Sequence, residues 1–419
     1  GVFLVAHPSS PLALNVHYLI AESCFKEKQY ADALPHYDEV SQKADNAEVK
    51  TDAFYKKAWC LQGLGRKEKA QKAFVDFADQ NPKHENADDA IYMAATVASE
   101  QARWDEASKL LGRLLDQYPQ QPFTAAMFEL AMVHGRLKDF ASMEKNLKAF
   151  LGKYPKHGKQ YEANYWLGWL ASQRKDWEPA LRYLNAAAKK EDTPFYEEVR
   201  MRRAVVDYYL GRADDAHKEL AYFAGRGRIK DLPAEVVRWT AQRQLDLFHY
   251  QEAIEAYRWY LEIAKTRAQI SDAQMGLARA HSGKRNWGEA IQAYKKVIAG
   301  EGNSDPGMEA RLGAVRAIVE KGDDLDPAQR MLDEVLTERP EGLMNARARI
   351  LQGDILVLQK KEKEAGAQYY SVGVLFDNAE LSPWAMKLAA EAFERAGDMA
   401  DGRRIRDELA KKYPKAKDA

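Results

Sequence analysis

Apolar residues along this chain recur at i, i+3, i+4 and i+7, the spacing that gathers them on one face of a helix. The pattern is broken by short polar stretches such as "QRKD" (173–176) and "LGRAD" (210–214). Aligning "KQYADALPHY" (28–37), "ARWDEASKLL" (102–111), "KDWEPALRYL" (175–184), "FHYQEAIEAY" (248–257) and "RNWGEAIQAY" (285–294) brings an aromatic residue, an alanine and a later bulky apolar residue into register. The alanines are Ala33, Ala107, Ala180, Ala253 and Ala290, and weaker copies place Ala70, Met143, Ala216, Ala328, Ala365 and Gly402 in the same slot at intervals of 36 to 38 residues. Twelve residues upstream stands a second small residue: Ala21, Ala58, Ala95, Ala131, Gly168, Ala204, Ala241, Ala278, Gly353 and Ala390. In the ninth unit that slot falls on Arg316, which locates a one-residue insertion there. Each unit thus predicts two helices joined by a turn, with small residues where the helices cross. The aromatic opens the second helix and covers the turn.

Five prolines, Pro82, Pro119, Pro155, Pro340 and Pro414, each follow a second-helix small residue by 12 positions. Proline cannot donate a helical hydrogen bond and disfavours helix at the residue before it, so each ends its helix. Two small residues, the Tyr or Leu after the second and the terminal proline resemble the tetratricopeptide repeat over nearly the whole chain. The resemblance implies an all-α fold, a right-handed α-solenoid of about eleven helical hairpins, here with a period of 36–37 residues against about 34 in the family. The extra residues fall in links such as "NPKHENADDA" (81–90) and "YPKHGKQYEA" (154–163). That longer link is similar to tetratricopeptide proteins of the bacterial cell envelope, among them the Tol–Pal-associated coordinator and the helical lipoprotein of the outer-membrane barrel assembly machine.

Composition removes several function classes. Lysines and arginines (63) balance aspartates and glutamates (63), which favours neither nucleic acid nor an anionic membrane. No apolar run approaches the roughly 20 residues of a membrane span, so direct membrane insertion is not expected. Cys24 and Cys60 are too few for a disulfide framework or a closed zinc site and read as helix-face thiols. Nucleotide-binding, metalloprotease and nucleophile-elbow signatures are missing, and the 9 histidines are dispersed without metal-ligand spacing. The expectation is a chain that is not an enzyme and carries no cofactor and no metal. The basic run "AGRGRIK" (224–230) reads as a solvated link, and the arginines of "EEVRMRRAVVDYY" (197–209) as intrahelical partners of neighbouring glutamates.

Candidate binding residues come from a second aromatic series. Tyr18, Tyr55, Tyr92, Phe128 and Tyr165 stand three residues before the first-helix small residue, and Trp59, Met132 and Trp169 stand one after it. The family resemblance implies that these slots line the concave groove, where equivalent residues stack into a stripe. Two readings stand: the stripe is a docking surface for a partner, or its rings pack between neighbouring first helices. It fades where Met201, Arg238 and Met275 take over, so residues 11–419 read as one continuous solenoid with an aromatic-lined first half (about 14–190) and a more polar second half (191–419). Residues 1–10 read as the tail of a truncated repeat, because "FLVAHPSS" matches "FLGKYPKHG" (150–158).

The function these features imply is a non-catalytic protein–protein interaction scaffold that holds a partner's peptide or helix in its concave groove. The resemblance implies a periplasmic or outer-membrane-associated setting in cell-envelope assembly, with a cytoplasmic location as the alternative. Two rival functions stay open: the regulatory or recruiting portion of a larger enzyme or membrane protein, and a module binding polysaccharide or peptidoglycan. No oligomeric state follows from the sequence.

Overall fold

The computed structural model describes residues 2–7, 9–119, 123–229, 232–322 and 324–414, and all regular structure among them is helical. A short helix, Val2–Ala6, precedes eleven hairpins, each with a first helix (A) and a second helix (B). Hairpins 1 to 5 are Ala13–Lys26/Tyr30–Lys43, Ala47–Gly63/Lys67–Gln80, Ala87–Glu100/Trp104–Gln117, Thr124–Arg136/Phe140–Lys153 and Gln160–Gln173/Trp177–Ala187. Hairpins 6 to 8 are Tyr196–Tyr209/Ala213–Ala224, Ala234–Asp246/Tyr250–Ile263 and Arg267–Gly283/Trp287–Glu301. Hairpins 9 to 11 are Asp305–Lys321/Asp326–Glu338, Gly342–Leu358/Glu362–Leu375 and Leu381–Arg395/Met399–Lys412. The chain forms two compact units, Gly1–Val206 and Asp207–Ala419, each a helical solenoid. Pro8, in the stretch "FLVAHPSS", lies outside the described residues.

One local conformation makes every hairpin. Each A-to-B turn holds a left-handed residue, at its middle position in ten hairpins and at the first in hairpin 9, with positive φ at Lys28, Gly65, Ala102, Lys138, Lys175, Gly211, Phe248, Arg285, Gly322, Lys360 and Gly397. Only glycine adopts that region without steric penalty. Four turns use it, while Phe248 holds φ 60° with a bulky side chain. At the other end of each unit the proline stop acts as expected. The B helices end two residues before Pro82, Pro119, Pro155, Pro340 and Pro414. The residue between leaves the helical region, as at Asn81 (φ −129°, ψ 53°) and Tyr154 (φ −131°, ψ 60°).

The small slots meet where the helices cross. The alanines at both slots are buried, from Ala21 and Ala33 to Ala390. In hairpin 11 a Cβ on Gly402 would lie 3.1 Å from the Ala390 carbonyl oxygen, and in hairpin 5 a Cβ on Gly168 would lie 2.7 Å from Leu184 Cγ. The ninth hairpin corrects the sequence reading. Its A-to-B connection spans four positions, 322–325, where the others span three. The extra residue therefore belongs to the turn, Val315 takes the buried slot, and Arg316 is exposed. The aromatic that opens helix B also does more than cover its own turn. Tyr30 packs 5.7 Å from Phe25 in its own hairpin, and its ring also fills the space a side chain at Gly63 of the next would need. Tyr250 stands likewise against Gly283.

Burial is passed from hairpin to hairpin, without one central core. In the first unit one apolar cluster joins hairpins 1 and 2, another hairpins 2 to 4, another hairpins 4 and 5. In the second, one cluster runs from Ala224 to Ile355 and another closes hairpins 10 and 11. Fully buried rings such as Phe74, Phe77 and Phe150 each contribute roughly 1.5–3 kcal/mol by leaving water. Stability in such an array is a sum of near-neighbour terms. Cys60 is buried, which pushes its thiol up to about 12, and Cys24 is half-buried.

Candidate partner-binding surfaces

In the first unit the aromatic series lies on the A helices. Tyr18, Tyr55, Tyr92, Trp59, Met132 and Trp169 are half-buried, and Phe128 and Tyr165 are buried. The ring bodies pack inward: Tyr55 lies 5.1 Å from Phe77, Trp59 5.5 Å from Phe74, Phe128 5.6 Å from Phe150 and Trp169 5.4 Å from Phe140. The hydroxyls reach the next hairpin. Tyr18 donates to Asp52 at 2.5 Å, Tyr55 to Asp89, and Tyr92 to Glu129 at 2.8 Å, while Arg202 Nε donates to the Tyr165 oxygen at 3.2 Å. Burial and the accepting carboxylate push the Tyr18 and Tyr92 hydroxyls up to about 12, and the Tyr55 hydroxyl higher. The tyrosine column is therefore a set of joints between successive A helices.

Two of these acceptors, Asp52 and Asp89, belong to a column not anticipated from the sequence, while Glu129 stands two residues before its slot. Six residues before the A-helix slot stand Asp52, Asp89, Glu162, Glu198, Glu235, Asp272 and Glu309, counting hairpin 9 from Val315. Each bonds a donor from its own or an adjacent hairpin. Asp52 also meets Lys56 (3.0 Å), Glu162 meets Lys159 (2.9 Å), Glu198 meets Arg202 (2.8 Å), and Glu235 accepts from Tyr209 (2.7 Å). Asp272 takes Arg238 through two bonds of 2.6 and 3.1 Å, and Glu309 takes Arg347 at 2.6 Å. The Arg202–Glu198 pair is the intrahelical pairing the sequence suggested. In the basic run, Arg226 lies 4.1 Å over the Tyr222 ring, and Lys230 is outside the described residues.

A second tyrosine series clasps hairpins 1, 7 and 10 from within. Tyr37 donates to Glu22 (2.5 Å), Tyr257 to Gln242 (2.8 Å) and Tyr369 to Asp354 (2.6 Å). The acceptor is always the residue one past the A-helix slot. Arginine has no acceptor atom, and this position holds Arg279 in hairpin 8 and, counting from Val315, Arg316 in hairpin 9.

Arg316 borders an apolar cleft of the second unit, a cavity of about 690 Å³. Its walls are successive A helices: Leu312 and Arg316 from hairpin 9, Ile350, Leu351 and Asp354 from hairpin 10, Trp384 and Leu388 from hairpin 11. Leu312 and Ile350 stand three before the slot, and Arg316 and Asp354 one after it, the positions assigned to a groove in the first half of the chain. Trp384 is 48% exposed and Leu358, at the rim, 52%. A second cavity of about 390 Å³ adjoins it, sharing Tyr294, Gly313, Arg316 and Glu320 and adding Arg279 and Arg285. Arg347 and Arg395 on the walls pair with Glu309 (2.6 Å) and Glu362 (3.3 Å), whereas Arg279, Arg285 and Arg316 form no side-chain ion pair with the described residues. Burial raises the Asp354 carboxyl above its ordinary range. Among the described residues no three His, Cys, Asp or Glu side chains are disposed to hold a metal ion, and no helix is long and apolar enough to cross a membrane.

Profiles of the tetratricopeptide repeat match residues 52–84, 89–120 and 240–306, which cover most of hairpins 2, 3 and 7 and all of 8. These stretches are tetratricopeptide repeats, a module that generally mediates protein–protein contacts. No curated protein matches the sequence. Among solved structures the chain is similar to a tetratricopeptide repeat protein from Parabacteroides merdae, with 19% identity over 64% of this chain and 98% of that one (TM-score 0.31). It is also similar to the Cut9–Hcn1 APC/C hetero-tetramer, with 12% identity over 97% of this chain and 88% of that one (TM-score 0.36).

Proposed function

We propose that the chain is a non-catalytic interaction scaffold whose groove on hairpins 9 to 11 holds a segment of a partner protein. The observation that carries this reading is the cleft of about 690 Å³, because it leaves Trp384 and Leu358 half exposed beside the aliphatic side chains Leu312, Ile350, Leu351 and Leu388. An exposed large aromatic inside a concave apolar surface is the kind of residue that anchors interfaces. The first unit belongs to the same proposal in reduced form. Tyr18, Tyr55 and Tyr92 are committed to joints, and Phe128 and Tyr165 offer little surface, which leaves Trp59, Met132 and Trp169 as its candidate contacts. A periplasmic or outer-membrane-associated role in envelope assembly is supported by the resemblance of the inter-hairpin links alone.

A photo-crosslinking residue placed at Leu358 in the full chain, with exposed Lys296 on helix B of hairpin 8 as control, tests the scaffold. Discrete adducts at position 358 that disappear in Trp384→Ala and are absent at 296 are expected. Running the reaction in envelope and cytosolic fractions tests the setting. Equal labelling at both positions refutes the groove.

A further inference from the structure

The groove is not uniform along its length. On hairpins 8 and 9 it presents Arg279, Arg285 and Arg316, none with an ion-pair partner among the described residues. On hairpins 10 and 11 it presents Ile350, Leu351, Trp384 and Leu388. The two adjoining cavities together carry five arginines against Glu320 and Asp354, and Asp354 is held by Tyr369. Guanidinium groups left unpaired in a cleft are poised for carboxylates, which they bind through paired, charge-assisted hydrogen bonds.

Resting on the scaffold reading, we infer that this groove takes an extended acidic–apolar segment of a partner protein. Its carboxylates lie at Arg279 and Arg316 and its bulky apolar side chains lie against Leu351, Trp384 and Leu388. Packed helices stand roughly 8–10 Å apart, so two hairpin steps from Arg316 to Trp384 span about 16–20 Å. Extended chain covers about 3.3 Å per residue, which places the acidic and apolar anchors about five or six residues apart. The charge end sets the direction in which the segment lies, and the apolar end supplies desolvated contact area.

The test is selection of a random dodecapeptide phage library on the full chain, followed by fluorescence anisotropy with an enriched peptide. Enriched sequences carry Asp or Glu separated by about five or six positions from Leu, Ile, Phe or Trp, as the helix spacing requires. Arg279→Ala combined with Arg316→Ala weakens the peptide at least about tenfold and flattens its salt dependence. Trp384→Ala weakens it without changing the salt slope. All three side chains are exposed, so melting curves stay unchanged. Enriched peptides without acidic residues, binding indifferent to the arginine variant, or a library that yields no enrichment each overturn the inference. Loss of binding in Trp59→Ala or Trp169→Ala in place of Trp384→Ala also overturns it while leaving the scaffold reading intact. So does a dimer in sedimentation that Trp384→Ala disperses, which assigns the groove to a second copy of the chain. The scaffold reading itself falls only with the crosslinking result at Leu358.

Discussion

Removing one oxygen from Tyr55 separates the two roles open to the aromatic column. Tyr55→Phe keeps the ring that packs 5.1 Å from Phe77 and deletes the hydroxyl that donates to Asp89 in the next hairpin. A hydrogen bond to a charged acceptor contributes about 1.5–3 kcal/mol net, against 0.5–1.5 for a neutral pair. Both Tyr55 and Asp89 are half-buried, so water partly replaces the lost donor, and the low end of the range applies, about 1.5 kcal/mol. Tyr55→Ala removes the ring as well and falls with large-to-small aromatic truncations at about 3–5 kcal/mol. Tyr18→Phe and Tyr92→Phe repeat the first perturbation at other joints. Tyr18 and Tyr92 share no partner, so their losses add to within about 0.5 kcal/mol. Tyr55 and Tyr92 couple, because Asp89 also acts on the Tyr92 hydroxyl. Urea unfolding followed by far-ultraviolet circular dichroism gives the totals, and amide exchange assigns the loss to hairpins 2 and 3. A near-neighbour array should also lose cooperativity at the weakened joint, seen as a lower m-value. A change below about 0.3 kcal/mol in Tyr55→Phe is inconsistent with that range and refutes the joint. If partner binding then falls in the same variant, the hydroxyl belongs to a docking surface.

Two further perturbations probe local features. Phe248→Gly relieves a left-handed residue whose ring is 74% exposed. Relief of about 1–2 kcal/mol less about 0.5–1 for the added freedom of the unfolded chain leaves a gain of about 0.5–1 kcal/mol in thermal melts, and a loss of stability contradicts the strain argument. In hairpin 1, burial and then the adjacent His17 ring, 2.7 Å away between Nδ1 atoms, hold His36 below its ordinary value of 6.5. Because the unfolded chain then takes up the proton first, stability is complete above pH 6.5 and falls as pH drops through it. Amide exchange in Ala13–Lys26 and Tyr30–Lys43 should quicken on acidification. His36→Gln should remove that dependence, and an unchanged acid response in the variant assigns it to other groups.

The hairpins were legible in the sequence because each unit restates the same geometric demand. A small residue is required wherever two backbones cross, and a deviation such as Met143 is read against its neighbours at fixed spacing. The turns carry a second repeated demand, a left-handed residue, but lysine fills it as often as glycine, so composition hid it. Arg316 was misplaced because spacing alone cannot say on which side of a slot an extra residue sits. The turn absorbs an insertion, whereas a packed crossing does not. The site was less legible for a related reason. Tyr18 and Asp52 are 34 residues apart and look unrelated until successive A helices are placed side by side, after which the acidic column follows from counting six residues back from the slots of hairpins 2, 3 and 5 to 9. The groove of the second unit had no compositional signature at all. Leu312, Ile350 and Leu351 have the spacing of core residues, and sequence does not say which side of a helical wall stays uncovered. The informative feature was the position one past the slot. Where it holds an acceptor, as at Glu22, Gln242 and Asp354, a tyrosine of the same hairpin occupies it. Where it holds Arg279 or Arg316, that clasp does not form, and the charge is left to face a partner. The substitution of an arginine for an acceptor is thus a point at which the array stops binding itself in hairpin 8, whose helix B still carries Tyr294 at the clasping position, and Arg279→Gln should re-engage that tyrosine and weaken an acidic ligand while leaving folding intact.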